Sequence, residues 1–282
     1  MAKTPEFHGK WALVTGASSG IGAALARELA DRGAKLILTA RRRDRMEALG
    51  QELAEQGTET RIVVSDLNDP VAPYQIYRVT ERAGLDVEIL VNNAGLGQYG
   101  TFHTGDVEKE LSQVRVNCDA VVRLTRMFVP RMVERRRGWV LVVASTASFQ
   151  PIPYLTTYAA TKAFDRFFAE GLAAEVAQFG VKVTALCPGP TESEFFDVAG
   201  AGVFKQRMQS TEEVARLGIE ALARGERTIV PNVRGRLGAF AVRFLSTQTI
   251  TRFLEKAVRP KSGEQGSGNG DQGPGGGPAT KS

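Results

Sequence analysis

The sequence predicts an α/β protein in which one parallel β-sheet is covered by helices on both faces. Short β-like runs alternate with helical stretches along the chain, the pattern of successive βαβ units. The run at 140–144, Val-Leu-Val-Val-Ala, lacks polar alternation, as a strand buried on two sides requires. The first such run ends in a glycine-rich turn, Thr15-Gly16-Ala17-Ser18-Ser19-Gly20-Ile21-Gly22, which leads into a helix. At 282 residues, 43% apolar and 24% charged, the chain suits one large domain with a sizeable core.

In order, Trp11–Thr15 reads as the first strand, and 21–32 as the helix after it, stopped by Gly33. Residues 35–39 form a second strand, followed by a charged helix over Arg43–Glu55. Third and fourth strands fall at 61–65 and 88–91, and one long helix is expected from 107 to 136. The strand at 140–144 precedes a helix over 155–178 and a sixth strand at 182–186. A helix over 211–223, with Thr211 as N-cap, leads to a short last strand at 227–230. The domain division expected is 1–233 for the sheet domain, 234–261 for a helical extension and 262–282 for a tail. That tail holds Gly, Pro, Ser, Asn and charge with no aliphatic larger than Ala279, a composition that predicts disorder.

Two cysteines, Cys118 and Cys187, cannot supply a disulfide framework and read as small buried thiols. His8 and His103 have no partners at metal-ligand spacing, so no structural metal is expected. No secretory signal is visible, and no stretch approaches the roughly 18 apolar residues of a spanning helix. A cytoplasmic protein, with a peripheral membrane location as the alternative, is therefore expected. The net charge is +5. Residues 1–233 are balanced, and the excess sits at 234–261, where Arg234, Arg236, Arg243, Arg252, Lys256, Arg259 and Lys261 face one acid, Glu255.

A strand running through a glycine turn into a helix presents backbone N–H groups and the helix dipole to an anion. Gly16 permits the tight turn, Gly20 the approach of a pyrophosphate, and Gly22 close helix–strand packing. Ser18, Ser19 and Ile21 belong to the same turn. A ribose 2′-hydroxyl asks for an acid at the end of the second strand, but Ala40 stands there, followed by Arg41, Arg42 and Arg43. Forked cations suit a 2′-phosphate, which favours NADP (NADPH) over NAD, with Arg41 as the main contact and Arg42 beside it.

These motifs, with Asp66 after the third strand, Asn92-Asn93-Ala94-Gly95 after the fourth, Asn117, Ser145, Tyr158, Lys162 and Pro188-Gly189, resemble the short-chain dehydrogenase/reductase family. The likeness covers residues 10 to about 230 in family order. It implies a Rossmann-type, doubly wound, seven-stranded parallel sheet with the cofactor across the carboxyl ends of the strands. It implies further that Asp66 and Leu67 sit by the adenine, and Asn93, Ala94 and Gly95 along the cofactor ribose. Thr191 or Ser193 meets the carboxamide. Lys162 grips the nicotinamide ribose, and Asn117 positions Lys162 through a water. A homodimer or homotetramer formed through the long helices before strands five and six is also implied. The family's basic residue before the second glycine is missing, since Ser19 stands there.

The catalytic chemistry follows from the residues themselves. Reducing a ketone puts a hydride on carbon and a proton on oxygen. A tyrosine of ordinary pKa, about 10, is a poor proton shuttle near neutrality. Lys162, one helical turn from Tyr158, favours the phenolate and makes Tyr158 a workable acid for reduction and base for oxidation. Ser145 can donate to the carbonyl oxygen.

The expected substrate walls are apolar: residues 96–102, then Phe149, Pro151, Ile152 and Tyr154, then Phe195, Phe196, Val198 and Phe204. They suggest a lipid-like or steroid-like carbonyl compound, or simply a packed lid. In the extension, Leu237, Phe240, Ala241, Phe244 and Leu245 follow helical spacing, as do Ile250, Phe253, Leu254, Ala257 and Val258. Such a basic amphipathic segment can lie on an anionic membrane, cover a pocket or pack on a second subunit. No nucleic-acid partner is expected, because no aromatics interleave with the basic residues.

Overall fold

The computed structural model describes residues 5–192, 194, 199–200 and 208–260. Ser193, Phe195, Phe196, Val198, Phe204 and the Gly-rich tail lie outside the described residues. Seven strands form the sheet: β1 (Trp11–Thr15), β2 (Lys35–Ala40), β3 (Thr60–Val64), β4 (Val87–Asn92), β5 (Gly138–Val143), β6 (Val181–Leu186) and β7 (Thr228–Ile229). Their order is β3-β2-β1-β4-β5-β6-β7, and every neighbouring pair is parallel. The expected doubly wound α/β sheet is therefore the observed fold. The winding reverses between β1 and β4, which opens a crevice at the carboxyl ends of those strands.

Strand alternation explains the two cores. Ala12, Val14, Leu36 and Leu38 point to one face with Leu25, Leu29, Met46, Leu53, Ile219 and Leu222. Leu13 and Ile37 point to the other, with Ile76, Leu124, Phe128, Ala169 and Val176. Helices α1 (Gly20–Asp31), α2 (Arg43–Glu55) and α7 (Thr211–Arg224) thus cover the first face. Helices α3 (Ala72–Arg82), α5 (Ala120–Glu134) and α6 (Thr156–Val176) cover the second. Both faces being buried is why the strands read as unbroken apolar runs.

Four elements depart from expectation. Helix α3 was not expected at all. Val71, Tyr74 and Val79 are about half exposed and blur the inward stripe of Ala72, Ile76 and Thr80. The single helix over 107–136 is instead α4 (Val107–Val114), one π-helical turn (Arg115–Asp119) and α5. The N-cap of α7 is Ser210, not Thr211: the Ser210 backbone is extended and its Oγ accepts from Glu213 N at 3.1 Å. Ser210-x-x-Glu213 is the capping pattern that marks the boundary one residue earlier.

The fourth departure is in the extension, α8 (Val233–Ala241), a short turn (Val242–Phe244) and α9 (Thr247–Val258). Its apolar residues do not share one buried face. Leu254 lines the main cavity and Val258 is buried, whereas Leu237, Phe240, Phe244, Leu245 and Phe253 are each more than half exposed. The rest of the domain meets α9 on one side only. There Tyr154 Oη donates to Glu255 (3.1 Å) and Tyr99 Oη donates to the Val258 carbonyl (2.7 Å).

Candidate active site

The crevice floor is tied together by β1 and the loop after β4. Thr15 Oγ1 donates to the Val91 carbonyl and accepts from the Asn93 and Ala94 amides at 2.9 and 3.0 Å. Asn93 Nδ2 returns a bond to the Thr15 carbonyl at 2.8 Å. A Cβ on Gly16 would lie 2.9 Å from Ala94 Cα, and one on Gly22 2.2 Å from the Gly16 carbonyl oxygen. Only glycine leaves the turn this compact, and Gly16 also has φ +67°. Ser19 caps α1 without a side-chain bond to the helix. That arrangement suits a pyrophosphate at the first turn.

One cavity of about 480 Å³ runs from this turn across the crevice. Gly16, Ser18, Ser19, Gly20, Ile21, Gly22, Arg41, Arg42, Asp66, Leu67, Asn93, Ala94 and Gly95 line it. So do Ser145, Tyr158, Lys162, Pro188, Gly189 and Thr191. Of the residues expected there, Asn117 stands behind the wall and Ser193 is outside the described residues. The glycine cradle and this lining fit a nicotinamide dinucleotide.

At one end, Arg42 donates from Nε and a terminal nitrogen to Ser18 Oγ (3.3 and 3.2 Å) and to Ser19 Oγ (2.7 Å). It also pairs with Glu194 at 2.8 Å, and Arg45 reaches the same carboxylate at 2.5 Å. The hydrogen bonds from both arginines hold Glu194 down to about 2, so it is ionised at any working pH. Arg42, rather than Arg41, is thus the cation bound into the glycine turn, because the N-cap of α2 turns it back over Ser18 and Ser19.

At the other end lies the Tyr158 group. Ser145 follows the end of β5 by two residues in extended backbone, and its Oγ accepts from the Ala147 amide at 3.1 Å. Tyr158 hydrogen-bonds the Ser145 side chain. Lys162 is 4% exposed, with Nζ donating to the Val143 carbonyl (2.8 Å) and to Asp165 Oδ2 (3.0 Å). Burial raises the Tyr158 pKa, and Lys162 and the Ser145 bond pull it back without cancelling the rise. The expected pull of Lys162 on the phenol is present in sign, but desolvation outweighs it. Burial opposes the charge on Lys162 as well, yet Asp165 and Tyr158 together raise its pKa and keep it an ammonium.

The π turn places Asn117 behind the cavity wall. Its Oδ1 accepts from the Leu96 amide (2.8 Å), and its Nδ2 donates to the Leu96 carbonyl and to Thr161 Oγ1, both at 2.9 Å. A Cβ on Gly95 would sit 3.3 Å from Lys162 Nζ and 3.5 Å from Asn117 Oδ1, so Gly95 lets these two approach. Single π turns often interrupt helices at functional sites.

The substrate side corrects part of the sequence expectation. Leu96, Gly97 and Ile152 line the cavity as expected, joined by Val116, Leu155 and Leu254. Phe149 instead packs on the core beneath the Arg166 guanidinium, 4.4 Å from its ring centre. Phe102 faces solvent, and Tyr154, at φ +62°, serves as a strut to α9. Leu254, from the apolar stripe of the extension, bears out the pocket-covering alternative, whereas sequence reasoning missed Glu194, Arg45 and Asp165. Only Asp165 left a signal, an acid three residues after Lys162 on the inner side of α6.

Residues 10–202 match the family described as short chain dehydrogenase. A very-long-chain 3-oxoacyl-CoA reductase of Anas platyrhynchos is 37% identical over 185 residues, 64% of this chain and 59% of that protein. The chain thus spans less than two thirds of that relative's length. The Rattus norvegicus protein of the same name is 30% identical over 260 residues, covering 89% of this chain and 81% of its own. A short-chain dehydrogenase from Sphingobium yanoikuyae, solved with NADPH, has a TM-score of 0.76 at 29% identity and covers 92% of this chain and 99% of its own. A bulky-bulky ketone specific alcohol dehydrogenase from Comamonas testosteroni gives 0.72 at 28%, covering 86% and 93%.

Proposed function

The chain belongs to the short-chain dehydrogenase family and is an oxidoreductase, and we propose that it reduces the carbonyl of a long, apolar, lipid-like compound with NADPH. The observation that carries this reading is one continuous cavity with Arg42, Ser18 and Ser19 at one end, Tyr158 with Ser145 and Lys162 on its floor, and an aliphatic wall beyond. The names of the relatives, 3-oxoacyl-CoA reductases, support an acyl chain as the apolar part.

The roles follow from position. Gly16, Gly20 and Gly22 leave room for the pyrophosphate, and Arg42 with the two serine hydroxyls receives the 2′-phosphate. Asp66, Leu67, Asn93, Ala94 and Gly95 flank the adenosine and ribose, and Thr191 stands by the carboxamide. When bound there, the nicotinamide supplies the hydride to the carbonyl carbon. Ser145 Oγ–H donates to the carbonyl oxygen as negative charge builds on it. Tyr158 gives its proton to that oxygen, leaving a phenolate that the Lys162 ammonium stabilises until solvent returns a proton. Asn117 braces the loop at Leu96 against α6 and so fixes the wall behind Lys162. Leu96, Ile152, Leu155 and Leu254 hold the chain of the substrate and keep water from the oxygen.

The outer side of the extension supports a surface role. No helix among the described residues is long and apolar enough to cross a membrane. Yet exposed Phe240 on α8, Phe244 on the turn after it and Phe253 on α9 stand in one segment with Arg252 and Lys256, and Leu254 on the inner side of α9 reaches the cavity. This is the composition of a segment that rests on an anionic bilayer beside an apolar site.

The test is oxidation of NADPH, and separately of NADH, by purified protein across ketones, aldehydes and 3-oxoacyl-CoA thioesters of increasing chain length. Turnover with NADPH that grows with chain length, lost in Tyr158→Phe while NADPH still binds, is the expected result. Activity confined to small polar ketones, or undiminished in Tyr158→Phe, overturns the reading.

A further inference from the structure

Asp165 lies in the floor of the site and has no part in the steps above. It is 1% exposed, three residues after Lys162 on α6. One carboxylate oxygen meets Lys162 Nζ at 3.0 Å, and the other is buried with no hydrogen-bond partner. A buried carboxylate with one oxygen unsatisfied is costly to keep, and its other oxygen holds a buried ammonium that its removal would leave uncompensated. What the position contributes is therefore the charge it sets against Lys162.

The neighbouring groups point to that explanation. Lys162 and Tyr158 lie on the same helix as Asp165, and Cys118 approaches from the π turn with Asp119 beside it. Burial pushes the Cys118 thiol up to about 12, so it stays neutral in the working range. Asp119 is occupied by Arg123 at 2.7 Å on the surface. The charges that Asp165 can alter are those of Lys162 and Tyr158. On Tyr158 the two act in opposite senses, since Lys162 favours the phenolate and Asp165 opposes it.

We propose that Asp165 is a positioning residue that acts through Lys162, clamping the ammonium beside β5 and cancelling part of its charge so that Tyr158 stays protonated and poised to donate. The clamp has two anchors, the Val143 carbonyl at 2.8 Å and the Asp165 carboxylate. With the ammonium uncompensated, the Tyr158 pKa would come down, and the alkaline limit of reduction and the acid limit of oxidation with it. With the carboxylate in place, burial and Asp165 together hold Tyr158 protonated further into the alkaline range. This rests on the reading of Tyr158 as proton donor, and it adds a residue that sets the pH range of both directions.

Burial raises Asp165 to about 6, with Lys162 pulling the other way. Below that pH the carboxyl takes up a proton, the Lys162 charge acts in full, and Tyr158 becomes the stronger acid. Above it the carboxylate holds Tyr158 protonated further into the alkaline range.

The experiment is the pH profile of kcat/KM in both directions, with NADPH and the best carbonyl of the panel and with NADP and the corresponding alcohol. Asp165→Asn keeps an acceptor for Lys162 but removes the charge. Its alkaline limit for reduction and its acid limit for oxidation are expected to move down by on the order of one pH unit, the effect of one charge at this range. Asp165→Glu is expected to restore the original profile, which loss of packing would not explain. Asp165→Leu serves as a second neutral variant should the amide not fold. The unaltered protein gives an independent reading, with reductive kcat/KM rising as pH falls through about 6. Unshifted limits in a folded neutral variant that binds NADPH normally, or a flat unaltered profile between about 5 and 7.5, overturn the proposal. If Tyr158→Phe abolishes turnover while these limits stay put, Asp165 alone is misassigned.

Discussion

Arg42 donates to Ser18, Ser19 and Glu194, so its guanidinium is already shaped to bind an anion at the mouth of the glycine turn. In the NADPH reading the 2′-phosphate takes the place Glu194 now holds on that fork. Arg42→Ala is then expected to weaken NADPH binding roughly 10- to 100-fold, as loss of a charge-assisted bond does, with little change for NADH. Glu194→Gln is expected to act in the opposite sense, tightening NADPH roughly two- to five-fold, because an exposed competing ion pair is weak. Titration of cofactor fluorescence with both variants checks this. Equal effects on NADPH and NADH would mean that Arg42 does not read the 2′ position. Glu194 is held well below the usual carboxylate range, so the competition is expected to be constant from about pH 5 upward.

At the scale of elements, α8 and α9 raise the sharpest question. Their inner side is accounted for: Tyr99 and Tyr154 bind the Val258 carbonyl and Glu255, and Leu254 enters the cavity. Their outer side is not, since Phe240 and Phe244 pack edge-to-face on each other at 5.0 Å and remain exposed. Vesicles containing phosphatidylserine are expected to sediment the full chain in low salt, and zwitterionic vesicles much less. The triple change Phe240→Ser, Phe244→Ser and Phe253→Ser is expected to abolish sedimentation while leaving NADPH binding intact, because none of these side chains lines the site. Binding unchanged by the triple substitution would send the search for a partner of this face to a second subunit.

For the whole molecule, the open surface on the second face of the sheet matters most. Val107, Leu111, Val114 and Val122 on α4 and α5, and Phe164 and Phe167 on α6, are exposed although these helices flank the core. We propose that this face joins copies of the chain, as the family resemblance implies. Light scattering is expected to give a dimer or tetramer, and Phe167→Glu, which places a charge on a 63% exposed aromatic, a monomer that keeps its fold. A monomeric parent protein would remove the proposal. The π turn between α4 and α5 carries Asn117 and α6 carries Tyr158 and Lys162, so assembly there bears on the rigidity of the site as well as on its number of copies.

Every strand, and the turns at Gly16, Asn93 and Pro188, can be read from the sequence because each depends on local chemistry: unbroken apolar runs, obligatory glycine, a serine or asparagine at a strand end. The Ser145, Tyr158 and Lys162 spacing is legible for the same reason, since a strand end and one helical turn fix where those side chains point. The sequence by itself thus determined the fold, the family and most of the residues around the cavity. Tertiary structure decided what depends on long-range approach. The binding of Arg42 rather than Arg41 into the glycine turn and the clasp of Glu194 across 152 residues leave no periodic trace, and the periodic stripe that holds Leu254 does not say which of its members enters the cavity. Nor does the loss of Phe149 to the core. The balance of charge on Tyr158 was likewise set by burial and by Asp165, because desolvation is a property of everything packed around a group and not of its neighbours in the chain.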